Sequence, residues 1–452
     1  MDGAARARRK VVVIRVQIAE RFKDLMSSYW FVPLLCSFAS VALVVLAAWL
    51  DTLATSGHIP VLPMFEKGTP AGQRALLSTI AGSSISVAGT VFSISMVVLS
   101  FASSQLGPRL LPNFFKRFST QLVLGGFIAT FLAALLVLAQ VTDGIGGPNP
   151  HSYGIGLSFT LAALSLALLV YFLHSVSSFI QAPLVIDEVA TDLARVLTQQ
   201  TVETGLASLN RGGEESAFLQ EFEGECAHIE SPKDGYIQAI DTNRACRLAA
   251  NYGIRVKLPH RPGQFVSARD TIALIVPADS VNDKLTRKVR ELVVVGPQRT
   301  NSKDVEYVVD QLVEIAIRAL SPGVNDPNTA INCIDMLGGS LGIFSSREFP
   351  GNVCRDECGE PRLYMERFTD RGVIDAAFNQ LRQHASGNVA VSIRLMEMIA
   401  SLGERITREA LKEGLCDQLE KLYAACQRDV EGKLDLNDVV QRYQKAREVL
   451  GK

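Results

Sequence analysis

Apolar positions along this chain fall into two regimes. Through about residue 180 they form four long runs, at about 31–50, 76–104, 120–141 and 155–179, with almost no charge inside them. At 1.5 Å of rise per residue, each run is long enough to cross the ~30 Å hydrocarbon core of a bilayer as a helix. Beyond that point apolar residues recur at helical spacing or in short strand-like bursts, interleaved with charge. The pattern predicts a membrane α-helical region of four transmembrane helices (31–181), preceded by a basic arm at 1–30. A cytoplasmic α+β region follows: a connecting amphipathic helix and linker at 182–223, a small β-rich subdomain at 224–300, and a helical domain at 301–452. The run at 31–50 is too long for a signal-peptide core, and three more runs follow it, so it reads as the first span.

The second run is unlike the others. Leu76–Ser104 has no charged residue, yet eleven of its twenty-nine positions are Ser or Thr. As a helix it would extend about 43 Å. Thr79, Ser83, Ser86, Thr90, Ser93, Ser100 and Ser104 follow spacings of three and four, interrupted only at Val97, which places hydroxyls along one face. Two readings follow. In one the stripe is packing: Gly82/Ser86 and Gly89/Ser93 are small-xxx-small pairs, as are Gly125/Ala129/Ala133 and Gly126/Thr130/Ala134 of the third run. In the other, copies of the helix line a wet path in an oligomer. No Asp, Glu, Lys or Arg falls inside a predicted span, which argues against ion-coupled transport. His174, near the end of the fourth run, reads as an interfacial hydrogen-bonding residue.

Charge sets the expected orientation. Seven Lys/Arg stand against three acids in residues 1–30. Arg109, Lys116 and Arg117 occupy the loop after the second run, whereas the other two loops are balanced or hold a single acid. Positive charge on alternate sides places both termini in the cytoplasm. Gln105 and Arg109, beside Gly107, Pro108 and Pro112, form an elbow that either anchors at the headgroups or couples cytoplasmic movement to the second span. A formal net charge of −1 argues against nucleic-acid binding.

Two stretches resemble a known family. VFSISMVVLSFASSQLGPRLLPNF (91–114) and ALSPGVNDPNTA (319–330), the latter after VEYVVDQLVEIAIR, are similar to the bacterial predicted integral membrane proteins grouped as domain of unknown function 2254. The resemblance spans nearly the whole chain. It implies the same order of four spans, β-rich segment and helical C-terminal region, and brings no activity. Asn328 departs from it, standing where an aromatic is expected.

In the second half, 224–278 alternates short strands with turns and is similar to half of a biotinyl/lipoyl barrel. It lacks a hairpin lysine to carry a prosthetic group, so no cofactor is expected. Arg255, Lys257, His260 and Arg261 make a basic edge. On 303–320, Glu306, Asp310, Glu314 and Arg318 form a polar stripe opposite the apolar one. In the turn at 321–329, Asp326 suits an N-cap and Pro327 the first helical position. Asn325, Asp326, Asn328 and Thr329 are therefore either a helix–turn–helix corner or a ligand or subunit contact. Cys354 and Cys358 lack the second ligand pair a zinc site needs, and seven of the eight cysteines fall from Cys226 onward in irregular spacing that suits free thiols. No metal site is expected.

No P-loop, GxSxG, HExxH or post-strand GxGxxG occurs, which points away from an enzyme. The leading expectation is an oligomeric, channel-like, multi-pass protein of the bacterial inner membrane. Its partners would be the lipid bilayer and further copies of itself, with the second helix lining a path and the cytoplasmic body regulating it. The alternative is a membrane-anchored ligand-binding or scaffold protein whose spans only pack.

Overall fold

The computed structural model describes residues 30–56, 58–60, 69–107, 118–141, 152–179, 181–204 and 213–451. The chain divides into two compact units, Met1–Gln181 and Ala182–Lys452. Among the described residues the first unit contains four helices: α1 (Phe31–Thr55), α2 (Pro70–Leu106), α3 (Phe118–Leu138) and α4 (Ser152–Phe179). All four are long and apolar enough to cross a membrane.

Both ends of the second run lie beyond its apolar limits. α2 begins six residues earlier than the hydropathy suggests, because Thr69 caps it. The Thr69 Oγ1 accepts a hydrogen bond from the Gly72 amide at 3.2 Å, and Pro70 takes the first turn, where its missing N–H costs nothing. α1 likewise runs on past Leu50 to Thr55, which brings Asp51 into the helix.

α3 is the most enclosed of the four and packs against each of the others. Its small residues permit this. A Cβ on Gly125 would meet Pro33 Cα and Cys36 Sγ of α1 at 3.0 Å, and one on Gly126 would meet Leu168 Cδ1 of α4 at 2.5 Å. Ala129, Thr130, Ala133 and Ala134 are buried along the same helix. Isolated hydroxyls tie the neighbours to it. Ser40 of α1 donates to the Ala129 carbonyl at 2.7 Å, and the hydroxyls of Thr130 and Ser165 on α4 share a hydrogen bond of 2.7 Å. In a medium without competing water such groups must find partners within the protein.

The second unit is mixed. An amphipathic helix α5 (Ala182–Gln200) buries Val185, Ile186, Val189, Leu193, Val196 and Leu197. A short strand β1 (Val202–Glu203) and helix α6 (Gly213–Gln220) follow. Then come β2 (Ala227–Glu230), β3 (Gly235–Ile240), α7 (Thr242–Tyr252), β4 (Arg255–Leu258), β5 (Phe265–Val266), β6 (Thr271–Val276), α8 (Asp283–Arg290) and β7 (Val293–Gly296). Helices α9 (Val305–Ala319) and α10 (Pro327–Leu341) lead to β8 (Arg347–Glu348), β9 (Val353–Arg355) and β10 (Pro361–Met365). Four helices end the chain: α11 (Asp370–Ala385), α12 (Val389–Arg405), α13 (Glu409–Asp429) and α14 (Lys433–Val449).

Strands pair as β2-β6-β4-β10-β9, β5-β3-β7 and β1-β8. Only the β4–β10 pairing is parallel. The larger two sheets share one apolar core, in which Ile237, Ile254, Leu258, Val266, Ile272 and Leu363 are fully enclosed. β9 and β10 flank the turn of the hydrophilic Cys354–Cys358 stretch, which is therefore part of a hairpin that adds two strands to a sheet begun more than a hundred residues earlier. The helical part is built by α9 and α10 packing on each other and on α5, with α11–α14 completing the bundle.

Candidate functional site

The side chains of α2 separate into two faces. Gln73, Leu77, Ile80, Ala81, Ser84, Ala88, Val91, Ser95 and Val98 are buried against the other membrane helices. Every member of the predicted hydroxyl stripe (Thr79, Ser83, Ser86, Thr90, Ser93 and Ser100) lies on the opposite, exposed side. Gly82 and Gly89 lie there too, and a Cβ on either would touch nothing within 4 Å. Among the described residues the small-xxx-small pairs Gly82/Ser86 and Gly89/Ser93 thus serve no helix contact, whereas the corresponding pairs on α3 do.

Some stripe hydroxyls bond their own helix. Thr79 donates to the Ala75 carbonyl at 2.7 Å, Ser83 to Ile80 at 3.1 Å and Thr90 to Ser86 at 3.1 Å. Such bonds leave each hydroxyl oxygen with an acceptor position facing outward. Large apolar residues share this outer surface, among them Ile85, Phe92 and Val97 (68% exposed). The face is therefore a band of hydroxyls and glycines flanked by lipid-compatible side chains.

One end of the first unit holds a polar arrangement that hydropathy alone does not show. Asp51, 4% exposed, accepts from the amides of Tyr153 at 2.8 Å and Gly154 at 3.1 Å, so the last turns of α1 cap the start of α4. A carboxylate at a helix N-terminus meets free N–H groups and the positive end of the dipole. At the same end Arg74 of α2 donates through Nε and Nη2 to the Val141 carbonyl, at 3.2 and 2.9 Å, just past α3. Two charged side chains therefore ride on the membrane helices, both at their ends. The local signals were present: no helix breaker stands between Leu50 and Gly57, and Thr69-Pro70 is a helix-start pair.

The other predicted positions are placed as follows. Asp326 caps α10, its Oδ1 accepting from the Thr329 amide at 3.2 Å and its Oδ2 from the Thr329 hydroxyl at 2.6 Å. Asn325 has a positive φ of 48° and is exposed, as is Asn328. The carboxylate and hydroxyl of this corner are thus engaged with each other. Gln105 lies in the last turn of α2, where only its backbone is described, and Arg109 falls outside the described residues. The acidic stripe of α9 is paired: Glu306 with Arg261, Asp310 with Arg299 and Glu314 with Arg318. Among the described residues, no three His, Cys, Asp or Glu side chains group as metal ligands would.

With this geometry in place, the chain can be compared with known proteins. The model of a family of predicted membrane proteins, DUF2254, matches residues 26–401. An uncharacterized protein of Mycobacterium bovis is 27% identical over 395 residues, covering 86% of this chain and 74% of the relative. An uncharacterized protein of Mycobacterium tuberculosis strain H37Rv matches with the same identity and coverage. No solved structure matches.

Proposed function

We infer a function from the premise that this chain belongs to the DUF2254 family of predicted membrane proteins. In our reading it assembles with further copies of itself through the exposed face of α2, and the hydroxyls of that face line a shared path for ions or small solutes. The chain would sit in the bacterial inner membrane with both termini cytoplasmic, as the alternation of loop charge requires. The second unit would then bias opening from the cytoplasmic side.

The observation that carries this reading is the outward placement of the whole stripe. Lipid tails offer hydroxyls no partner, and close-packed helices inside the chain do not use these. Another copy's helix can approach closely at Gly82 and Gly89, and water in a central path would satisfy the acceptors left by the intrahelical bonds. A path lined this way carries no fixed charge, so its selectivity would rest on width and hydroxyl dipoles.

Reconstitution tests the proposal. Liposomes containing the purified protein should pass small ions, and Thr90→Trp or Ser93→Trp should block that flux while the chain stays folded. Absence of flux in every condition, or a monomer in mild detergent and in nanodiscs, contradicts it.

A further inference from the structure

The second unit contains a pocket of about 60 Å³, lined in part by Arg261 of the basic edge and separate from the α2 face. Three cations line it, Arg261, Lys303 and Arg367, against one acid, Glu366. They come from three separated segments: the turn after β4, the turn before α9 and the stretch after β10. Phe349 and Phe368, both buried, form apolar walls. We propose that this pocket binds a phosphate group, presented either by a soluble phosphorylated molecule or by an anionic lipid headgroup.

The cations are held ready for an anion. Arg261 is clamped by Glu306, its Nη1 donating to Oε2 at 3.1 Å and Nη2 to Oε1 at 2.9 Å. Its guanidinium also lies 4.7 Å from the centroid of the Phe368 ring, which fixes its plane. Arg367 donates to the Gly351 carbonyl at 3.0 Å and to Cys354 Sγ at 3.1 Å, both uncharged acceptors. Among the described residues neither Arg367 nor the exposed Lys303 has a carboxylate partner. Glu366 also approaches Arg261, its Oε1 3.9 Å from Nε, so both carboxylates stand against Arg261 and the three cations together exceed them by one charge. Charge in a half-enclosed space beside two phenyl rings acts through a lower effective dielectric than at an open surface.

Chemistry selects the ligand, and the half-enclosed space admits a tetrahedral oxyanion. Guanidinium donors match phosphate oxygens in pairs, and a phosphomonoester carries close to two negative charges at neutral pH. This site is independent of any path along α2.

The test uses the full-length protein in detergent micelles, titrated calorimetrically with inorganic phosphate. Saturable binding is expected, weakened about tenfold by Lys303→Gln and at least as much by Arg367→Gln. Lys303 is exposed and structurally unengaged, so its variant stays informative if Arg367→Gln misfolds. A second arm places the protein in phosphatidylcholine nanodiscs with or without phosphatidic acid. Phosphatidic acid that displaces inorganic phosphate identifies a headgroup ligand, and phosphate binding unaffected by it identifies a soluble one. Absence of phosphate binding in both settings, or binding that Lys303→Gln leaves unchanged, overturns the proposal.

Discussion

Helices α2 and α3 are both rich in small and hydroxylated residues, yet they use them in opposite ways. On α3, Gly125, Gly126 and Thr130 face neighbouring helices, whose atoms approach them closely. On α2 the equivalent residues face outward, and its inward face is mainly aliphatic, with Ser84 and Ser95 as small polar insertions. Small-xxx-small spacing shows where a close approach is possible. Whether the partner is in the same chain depends on which face the rest of the bundle has already taken.

The largest effect expected from this contrast comes from filling space. Gly126→Leu should destabilise the folded chain by about 1–3 kcal/mol or more, because its side chain would enter the volume of Leu168. Gly89→Leu should leave the stability of the single chain unchanged and instead weaken assembly. Thermal or denaturant unfolding in detergent, read beside size-exclusion profiles, separates the two; equal destabilisation by both would break the comparison.

Next comes the cap at the bundle end. Asp51→Ala removes the acceptor of the half-buried Tyr153 amide and the buried Gly154 amide and should cost about 1–3 kcal/mol. Hydrogen exchange at Tyr153 and Gly154 should rise in this variant, and protection unchanged from the parent would show that the cap contributes little.

Single hydroxyls should give smaller changes. Thr130→Ala breaks the bond to Ser165 and should cost roughly 0.6–1.7 kcal/mol. Thr90→Ala, exposed and bonded only to its own helix, should change monomer stability by less than about 0.5 kcal/mol.

The effect that is smallest at neutral pH, and emerges only in alkali, carries the inside–outside contrast to the thiols of the second unit. Burial, and next the nearby Asp326 charge, push the Cys333 thiol from 9.0 up to about 12. Its proton is thus held more tightly in the folded than in the unfolded chain. The stabilisation is complete below about pH 9 and is lost as pH rises towards 12. At pH 8 iodoacetamide should modify the exposed Cys358 and spare Cys333, and Cys333→Ala should flatten the loss of stability between pH 9 and 12. Rapid modification of Cys333 in the native protein would contradict its enclosure.

Much of the architecture was legible because membrane insertion writes it directly into the chain. Four uncharged runs give four helices, and the α+β second half follows from shorter, mixed periodicities. The ends of the helices were less legible, because hydropathy stops where capping begins: Thr69 starts α2 through a hydrogen bond that no window average registers, and α1 runs on past Leu50 to Thr55, carrying Asp51 to the start of α4. The β9–β10 hairpin was hidden for a different reason. Its strands are short and flank a polar turn, and β10 is fixed by pairing with β4, a contact distant in sequence. The hydroxyl stripe was readable as a face, but its direction was not, since orientation depends on what α3 offers. The phosphate pocket was unreadable as a unit, because Arg261, Lys303 and Arg367 meet only through folding.

The most direct test of the central claim is disulfide cross-linking of Ser93→Cys in native membranes, with Leu166→Cys on the 64%-exposed outer side of α4 as control. If the hydroxyl face of α2 meets its copy across a shared path, mild oxidation should link Ser93→Cys chains into dimers and leave Leu166→Cys monomeric. Cross-linking at neither position, or equally at both, would contradict it.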